Sequence, residues 1–234
     1  MPVTTLPAID WPHAAEQLAA DGYTTLKLLD AATCRALAAL YDGDATQFRS
    51  RVLMQRHNYG RGEYKYLSYP LPDTVATLRT ALYPPLAAIA NAWRATLGEA
   101  KRFPPTLEAF LDECHAAGQT RPTPLLLRYT EDDFNCLHQD LYGPLVFPLQ
   151  LTVLLSKPGI DFTSGEFVLV EQRPRAQSRA AVVPLAQGEA VIFPVHHRPA
   201  QGMRGPYRLT MRHGVSRVTS GLRQTLGIIF HDAA

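Results

Sequence analysis

The second half of the chain consists of short apolar runs that proline and glycine interrupt every few residues. Eight such runs, rich in β-branched, leucine and aromatic residues, lie at 124–129, 135–139, 147–155, 166–170, 180–183, 190–193, 207–213 and 225–230. Runs of this length and composition are typical of β-strands, and their close succession predicts a jelly roll or barrel. Residues 119–234 are therefore expected to form a β-rich core.

The first half has a helical pattern. Capping residues, apolar spacing and stop signals predict helices at 10–20, after Asp30, from Asp73 and at about 105–117, with a short β-prone segment at 23–29. Two prolines, Pro84 and Pro85, are expected to interrupt the third of these helices. We predict an α+β protein with a single domain spanning 1–234, in which residues 1–118 form a helical flank that braces the sheet of the core.

Composition limits the class of protein. A chain of 234 residues with 46% hydrophobic residues is long enough for one well-buried domain. Its three cysteines, Cys34, Cys114 and Cys136, form no CxxC pair, so neither a disulfide framework nor a cysteine zinc site is expected. The opening residues lack the blocks of a signal peptide, and no apolar run has the length of a membrane span. We expect a cytoplasmic protein that does not insert into membranes.

His138 and Asp140 are the first candidate functional residues. In an extended strand their side chains point to the same face, because alternate residues of a β-strand do so. An imidazole and a carboxylate side by side are two thirds of the triad of two histidines and one carboxylate that holds non-haem Fe(II). A second histidine must come from elsewhere in the chain.

The segment 212–226, RHGVSRVTSGLRQTL, supplies a candidate. His213 is followed ten residues later by Arg223. With the HQD motif at 138–140, this order resembles the 2-oxoglutarate and Fe(II)-dependent oxygenases, in which HxD, a distal histidine and an arginine follow one another. The ending is similar to the prolyl-hydroxylase form, and the resemblance implies a double-stranded β-helix, the cupin-like form of the jelly roll.

The resemblance also implies roles for individual residues. His138, Asp140 and His213 would be the catalytic iron ligands, and Arg223 would bind the far carboxylate of 2-oxoglutarate. A guanidinium suits the second role because it stays charged and grips a carboxylate through two parallel hydrogen bonds.

The segment around 127–140 also resembles the AlkB branch of these oxygenases. There an Asn-Arg-Tyr run precedes HQD, and its Asn and Tyr contact the cosubstrate. Tyr129 matches that pattern and is implied to contact 2-oxoglutarate, whereas Leu127 stands where the Asn would be.

A second assignment of the distal histidine is compatible with the sequence. His197 could be the ligand, with Arg208 or Arg212 as the anchor of the cosubstrate. We favour His213 with Arg223, because the apolar strand after Arg223 fits the commoner pattern.

The function implied by the resemblance is a dioxygenase that uses Fe(II), 2-oxoglutarate and O2 to hydroxylate or oxidatively demethylate its substrate. A nucleic-acid base is one candidate substrate, because the chain resembles bacterial oxygenases for which nucleic acid has been proposed. A protein side chain or a small metabolite is an alternative substrate. A cupin-like protein that binds a ligand or metal without catalysis is a further alternative, although it would have no need of Arg223.

A basic stretch at 48–66 is the candidate substrate surface. It interleaves cations with aromatic residues and glycines, in a chain whose net charge is only +2. Arg51, Arg56, Arg61 and Tyr64 are the residues that we expect to contact phosphates and bases. A solvated, salt-bridged face is the alternative interpretation of the same stretch.

Overall fold

The computed structural model describes residues 6–173 and 175–234. Within these residues the chain forms the helices α1 (Trp11–Ala20), α2 (Ala31–Ala39), α3 (Asp73–Thr96) and α4 (Leu107–Ala116). Its strands are β1 (Thr24–Lys27), β2 (Phe48–Leu53), β3 (Gly60–Arg61), β4 (Glu63–Leu67), β5 (Leu125–Tyr129), β6 (Phe134–His138), β7 (Leu149–Leu154), β8 (Phe162–Ser164), β9 (Phe167–Gln172), β10 (Arg179–Val183), β11 (Glu189–Pro194), β12 (His197–Gly202), β13 (Gly205–Val215), β14 (Val218–Gly221) and β15 (Arg223–Ile229).

Two antiparallel sheets make up the core. The larger sheet has the order β1-β11-β7-β15-β5-β4-β2. The smaller has the order β10-β9-β13-β6-β3, with β12 paired to β13, and a two-stranded sheet joins β14 to β8. Each of the eight predicted runs corresponds to one of these strands, and the predicted double-stranded β-helix with flanking helices is confirmed.

Strand β15 shows how the sequence separates the two faces of the larger sheet. Leu226 and Ile228 point outward and join the main hydrophobic cluster with residues of α3 such as Leu82 and Leu86. Burial of each such side chain contributes about 1.5–3 kcal/mol. The intervening residues, Thr225, Gly227 and Ile229, point inward and line a pocket. The helices therefore cover one face of the sheet, while the other face is left for the site.

Helix α3 is continuous, so the predicted interruption at Pro84 and Pro85 is wrong. A proline ring removes the hydrogen bond to the carbonyl four residues earlier, which here belongs to Thr80 and Ala81. Both of these residues are exposed, as is Pro84, so water can satisfy the freed carbonyls. Burial of the opposite face of the helix then holds it together across the prolines.

Residues 48–67 also depart from the helical pattern expected for the first half. They form β2, β3 and β4, which extend both sheets: β4 pairs with β5, and β3 pairs with β6. The alternation of Tyr64 and Tyr66 with charged neighbours is a strand pattern, which the cations of this stretch obscured. This stretch therefore lies beside β6, the strand that leads into the HQD motif.

Residues 1–5, on which the expectation about a signal peptide rests, lie outside the described residues. Where the chain is described, none of its helices combines the length and apolarity needed to cross a bilayer.

Candidate active site

Two histidines and one carboxylate converge inside the smaller sheet. His138 is the last residue of β6, Asp140 follows two residues later, and His213 lies on β13 directly opposite His138. Nε2 of His138 is 3.6 Å from the Asp140 carboxylate, and Nε2 of His213 is 3.3 Å from it. The ligand atoms of the three side chains all lie within 4.8 Å of one another. This donor set could hold one metal ion of the Fe(II) type.

Backbone carbonyls set the orientation of this end of β6. Nδ1 of His138 lies 2.8 Å from the carbonyl oxygen of Cys136. Because a carbonyl only accepts hydrogen bonds, Nδ1 carries the proton and Nε2 keeps its lone pair for a metal. The Gln139 side chain donates to the carbonyl of Met211 at 2.7 Å and so ties the end of β6 to β13.

Both oxygens of Asp140 are held by neighbouring side chains. The Tyr142 hydroxyl donates to Oδ1 at 2.7 Å, and the amide of Gln150 donates to Oδ2 at 2.8 Å. The sequence did not indicate these two residues. A polar Gln150 within an apolar predicted strand was the one available signal. The two side chains fix the direction in which the carboxylate faces the histidines.

The charges of the cluster follow from burial and from mutual contact. Burial lowers the pKa of His138, but the hydrogen bond and charge of Asp140 outweigh it and raise that pKa above its ordinary value. Burial opposes the charge of Asp140, yet its contacts with the two adjacent histidines hold its pKa well below the usual range. Burial and the neighbouring His138 lower the pKa of His213. At neutral pH the site thus presents a carboxylate and a neutral His213, which is the state that binds a divalent cation.

A pocket of about 320 Å³ opens onto this cluster. Its walls are mostly apolar and are supplied by strands of both sheets. Tyr59 and Tyr64 reach it from the basic stretch, and Asn135 and Tyr129 line it from β6 and β5. The Asn135 amide donates to the Tyr129 hydroxyl at 3.3 Å, so these two polar groups form one unit of the wall. Such a pocket has the character of a site for a small organic group.

Arg223 lies at the other end of the interior, where it pairs in register with Tyr129. Its side chain is 2% exposed, and its Nε and Nη1 atoms are buried with no hydrogen-bond partner among the described residues. Its Cζ lies 5.5 Å from the centre of the Tyr129 ring, and it lines a second cavity of about 190 Å³. Burial lowers the pKa of Arg223 to about 10, so the guanidinium is still charged at neutral pH. A buried cation with free donors fits a carboxylate of a ligand.

The alternative distal histidine is not part of the cluster. The rings of His197 and His196 lie 3.4 Å apart at the start of β12. Arg208 donates to a carboxylate oxygen of Glu99 at 2.6 Å, and Arg212 is exposed. The structure brings His213, and not His197, to His138 and Asp140.

The predicted substrate residues fall into two groups. Tyr64 lines the pocket, while Arg56 and Arg61 are exposed on the same stretch. Arg51 forms a close ion pair with Glu63, whereas Arg61 has only a contact of 3.8 Å to Asp133.

Comparison with known proteins gives two kinds of likeness. Residues 62–233 match a family, Oxygenase-NA, described as "oxygenase, catalysing oxidative methylation of damaged DNA". The chain is also 52% identical over 165 residues to uncharacterized proteins from two strains of Mycobacterium tuberculosis, which covers 70% of this chain and 71% of theirs.

Solved structures resemble the chain in fold. A prolyl-4-hydroxylase from Pseudomonas putida superposes with a TM-score of 0.55 at 14% identity and covers 96% of this chain and 100% of its own. An oxidoreductase of the 2OG-Fe(II) oxygenase family from Burkholderia pseudomallei gives a TM-score of 0.53 at 14% identity, with coverages of 98% and 95%.

Proposed function

Given that the chain belongs to the Oxygenase-NA family, we propose that it is a 2-oxoglutarate- and Fe(II)-dependent oxygenase that oxidises a base of nucleic acid or an N-alkyl group on that base. His138, Asp140 and His213 hold the iron in this proposal. The observation that carries it is the convergence of these three side chains at the pocket, together with the unpartnered Arg223 next to Tyr129 of the pocket wall.

Each residue has a task that its surroundings support. The Nε2 atoms of the two histidines and the anionic Asp140 bind the metal, with His138 giving up any proton it holds there, and the free donors of Arg223 bind the far carboxylate of 2-oxoglutarate. The Tyr129 ring lies 5.5 Å from that anchor, and its hydroxyl, which accepts a hydrogen bond from Asn135, can donate its own proton to the cosubstrate. The mostly apolar pocket excludes water from the C–H bond that reacts. When bound, Fe(II) and 2-oxoglutarate would supply, with O2, the oxidative chemistry that removes hydrogen from that bond, and the products would include succinate and CO2.

The family description and the charge of the basic stretch support nucleic acid as the substrate class. In this proposal the exposed Arg56 and Arg61 contact phosphates, and Tyr64, which lines the pocket, contacts the base. Arg51 has a smaller share in the proposal, because its guanidinium already neutralises Glu63. The three cysteines, none of them in a disulfide, support a reducing compartment such as the cytoplasm.

The test measures succinate formed from 2-oxoglutarate with added Fe(II), and product formed on an N-methylated oligonucleotide. His213→Ala should abolish both, since it removes a ligand. His197→Ala is the matched control, because it removes a histidine from the same half of the chain without touching the cluster, and it should retain activity. Full activity in His213→Ala, or its loss in His197→Ala alone, would contradict the assignment.

A further inference from the structure

The stretch 48–66 forms a hairpin that backbone hydrogen bonds hold against β6, the strand that leads into the HQD motif. The amide of Cys136 donates to the carbonyl of Tyr59 at 2.9 Å, and the amide of Tyr59 donates to the carbonyl of Met54, a fully buried residue, at 3.1 Å. The next residue, Gly60, has a φ of 126°, and a Cβ there would lie 2.4 Å from the carbonyl oxygen of Phe134. Only glycine permits this approach. The position of Tyr59 is therefore fixed by the main chain.

The side chain of Tyr59 offers a flat surface at the pocket. Its ring lines the pocket that contains the metal cluster, yet the residue is 49% exposed. It stacks on His57, with 5.3 Å between ring centres and 23° between their planes. An exposed aromatic ring supported in this way is suited to stacking against another planar ring.

Positive charge surrounds this surface. The hairpin carries five cations and one carboxylate, a net charge of +4, whereas the whole chain carries +2. The single carboxylate, Glu63, is neutralised by Arg51 and Arg128. Among the described residues Arg56 has no ion pair, and Arg61 has one loose contact of 3.8 Å to an aspartate. Two cations are therefore available for phosphates.

The size of the pocket limits what can enter. A volume of about 320 Å³ is at the small end of ligand sites, and part of it belongs to the cosubstrate. One ring system can reach the cluster, but a base pair cannot. Nucleic acid would have to present a base that is out of its pair.

From these observations, and resting on the nucleic-acid function proposed above, we infer that the substrate is an unpaired base in single-stranded nucleic acid. The base stacks on Tyr59 at the mouth of the pocket, and Arg56 and Arg61 contact the phosphates on either side of it. Tyr59 is a binding residue of this site that the sequence did not single out.

The experiment uses a fluorescein-labelled DNA strand of fifteen nucleotides, alone or annealed to its complement, with the full chain loaded with Mn(II) and N-oxalylglycine. Fluorescence anisotropy gives the affinity at several salt concentrations. We expect the single strand to bind more tightly than the duplex. Tyr59→Ala should weaken single-strand binding by about 5- to 100-fold, and Tyr59→Leu should do the same, whereas Tyr59→Phe should bind like the wild type.

Salt dependence tests the arginines separately. Arg56→Gln and Arg61→Gln should each reduce the slope of log K against log salt by about 0.7. Arg35→Gln is the matched control, because it removes an exposed cation of helix α2 and should leave the slope unchanged. All of these side chains are at least partly exposed, and circular dichroism would show that each variant is folded.

Two results would overturn the inference: equal affinity for duplex and single strand, or wild-type affinity in Tyr59→Ala. Binding of a proline-rich peptide in place of the DNA strand would overturn it as well. Succinate release from 2-oxoglutarate without any nucleic acid separates this inference from the proposed function. If release occurs and the duplex binds at least as tightly as the single strand, the inference alone fails; if the protein releases no succinate, or binds neither form of DNA, the proposed function fails as well.

Discussion

Replacing Arg223 by methionine should stabilise the ligand-free protein and abolish its response to 2-oxoglutarate. The guanidinium is 2% exposed and two of its nitrogens lack partners, so the fold holds a charge that water would solvate better. Burial lowers its pKa to about 10, and a drop of that size corresponds to about 3 kcal/mol of unfavourable charge burial. Methionine fills similar space without the charge. We expect the free energy of unfolding to rise by about 1–3 kcal/mol.

Arg79 is the matched control for this prediction. It is 1% exposed, but its guanidinium donates to the carbonyls of Ile229 and Phe230, to the Tyr69 hydroxyl and to the buried carboxylate of Asp232. Its removal leaves that carboxylate without its main partner. Arg79→Met should therefore destabilise the protein by about 3–5 kcal/mol, the opposite direction from Arg223→Met.

Urea unfolding at neutral pH measures both effects, with and without Mn(II) and N-oxalylglycine. With Mn(II) present throughout, N-oxalylglycine at a hundred times its dissociation constant should stabilise the wild type by about a further 2.7 kcal/mol and leave Arg223→Met unchanged. An Arg223→Met protein that is less stable than the wild type and still gains from the ligand would refute the reasoning, because Arg223 would then be a structural residue.

Three further predictions concern other parts of the molecule. Burial lowers the pKa of His231 to about 4. Between pH 6.5 and 4 the unfolded state therefore binds a proton at this histidine and the folded state does not. The free energy of unfolding should fall by up to about 3 kcal/mol as the pH drops through this range. His231→Asn can keep an acceptor for the amide of Phe147, and denaturant unfolding across this range should show a weaker dependence on pH. Pro84→Ala should raise the free energy of unfolding by about 1–3 kcal/mol, because it restores a helical hydrogen bond; an unchanged value would contradict our account of α3. Tyr142→Phe should weaken Mn(II) binding by about tenfold in calorimetry, since it removes one of the two groups that hold Asp140, and unchanged affinity would show that Gln150 suffices.

Some features of the fold were predictable because their signals are local. Short apolar runs and turn residues marked the eight core strands, and Asp10 and Asp30 were recognisable as caps of α1 and α2, where each accepts a backbone hydrogen bond. Local signals failed where packing outweighs them. Pro84 and Pro85 normally break a helix, but α3 buries its opposite face along its whole length and tolerates them on the solvent side.

The sequence by itself determined the strand-rich core and the donor types of the site, since both are read from residue identity and short spacing. Only the tertiary structure shows that His213 rather than His197 lies beside His138 and Asp140, because this depends on the register of β13 against β6, two strands about 75 residues apart in the chain. Only the tertiary structure likewise shows which groups each arginine contacts. A side chain acquires a charge partner through long-range packing, so only the folded chain distinguishes the free guanidinium of Arg223 from the satisfied one of Arg79.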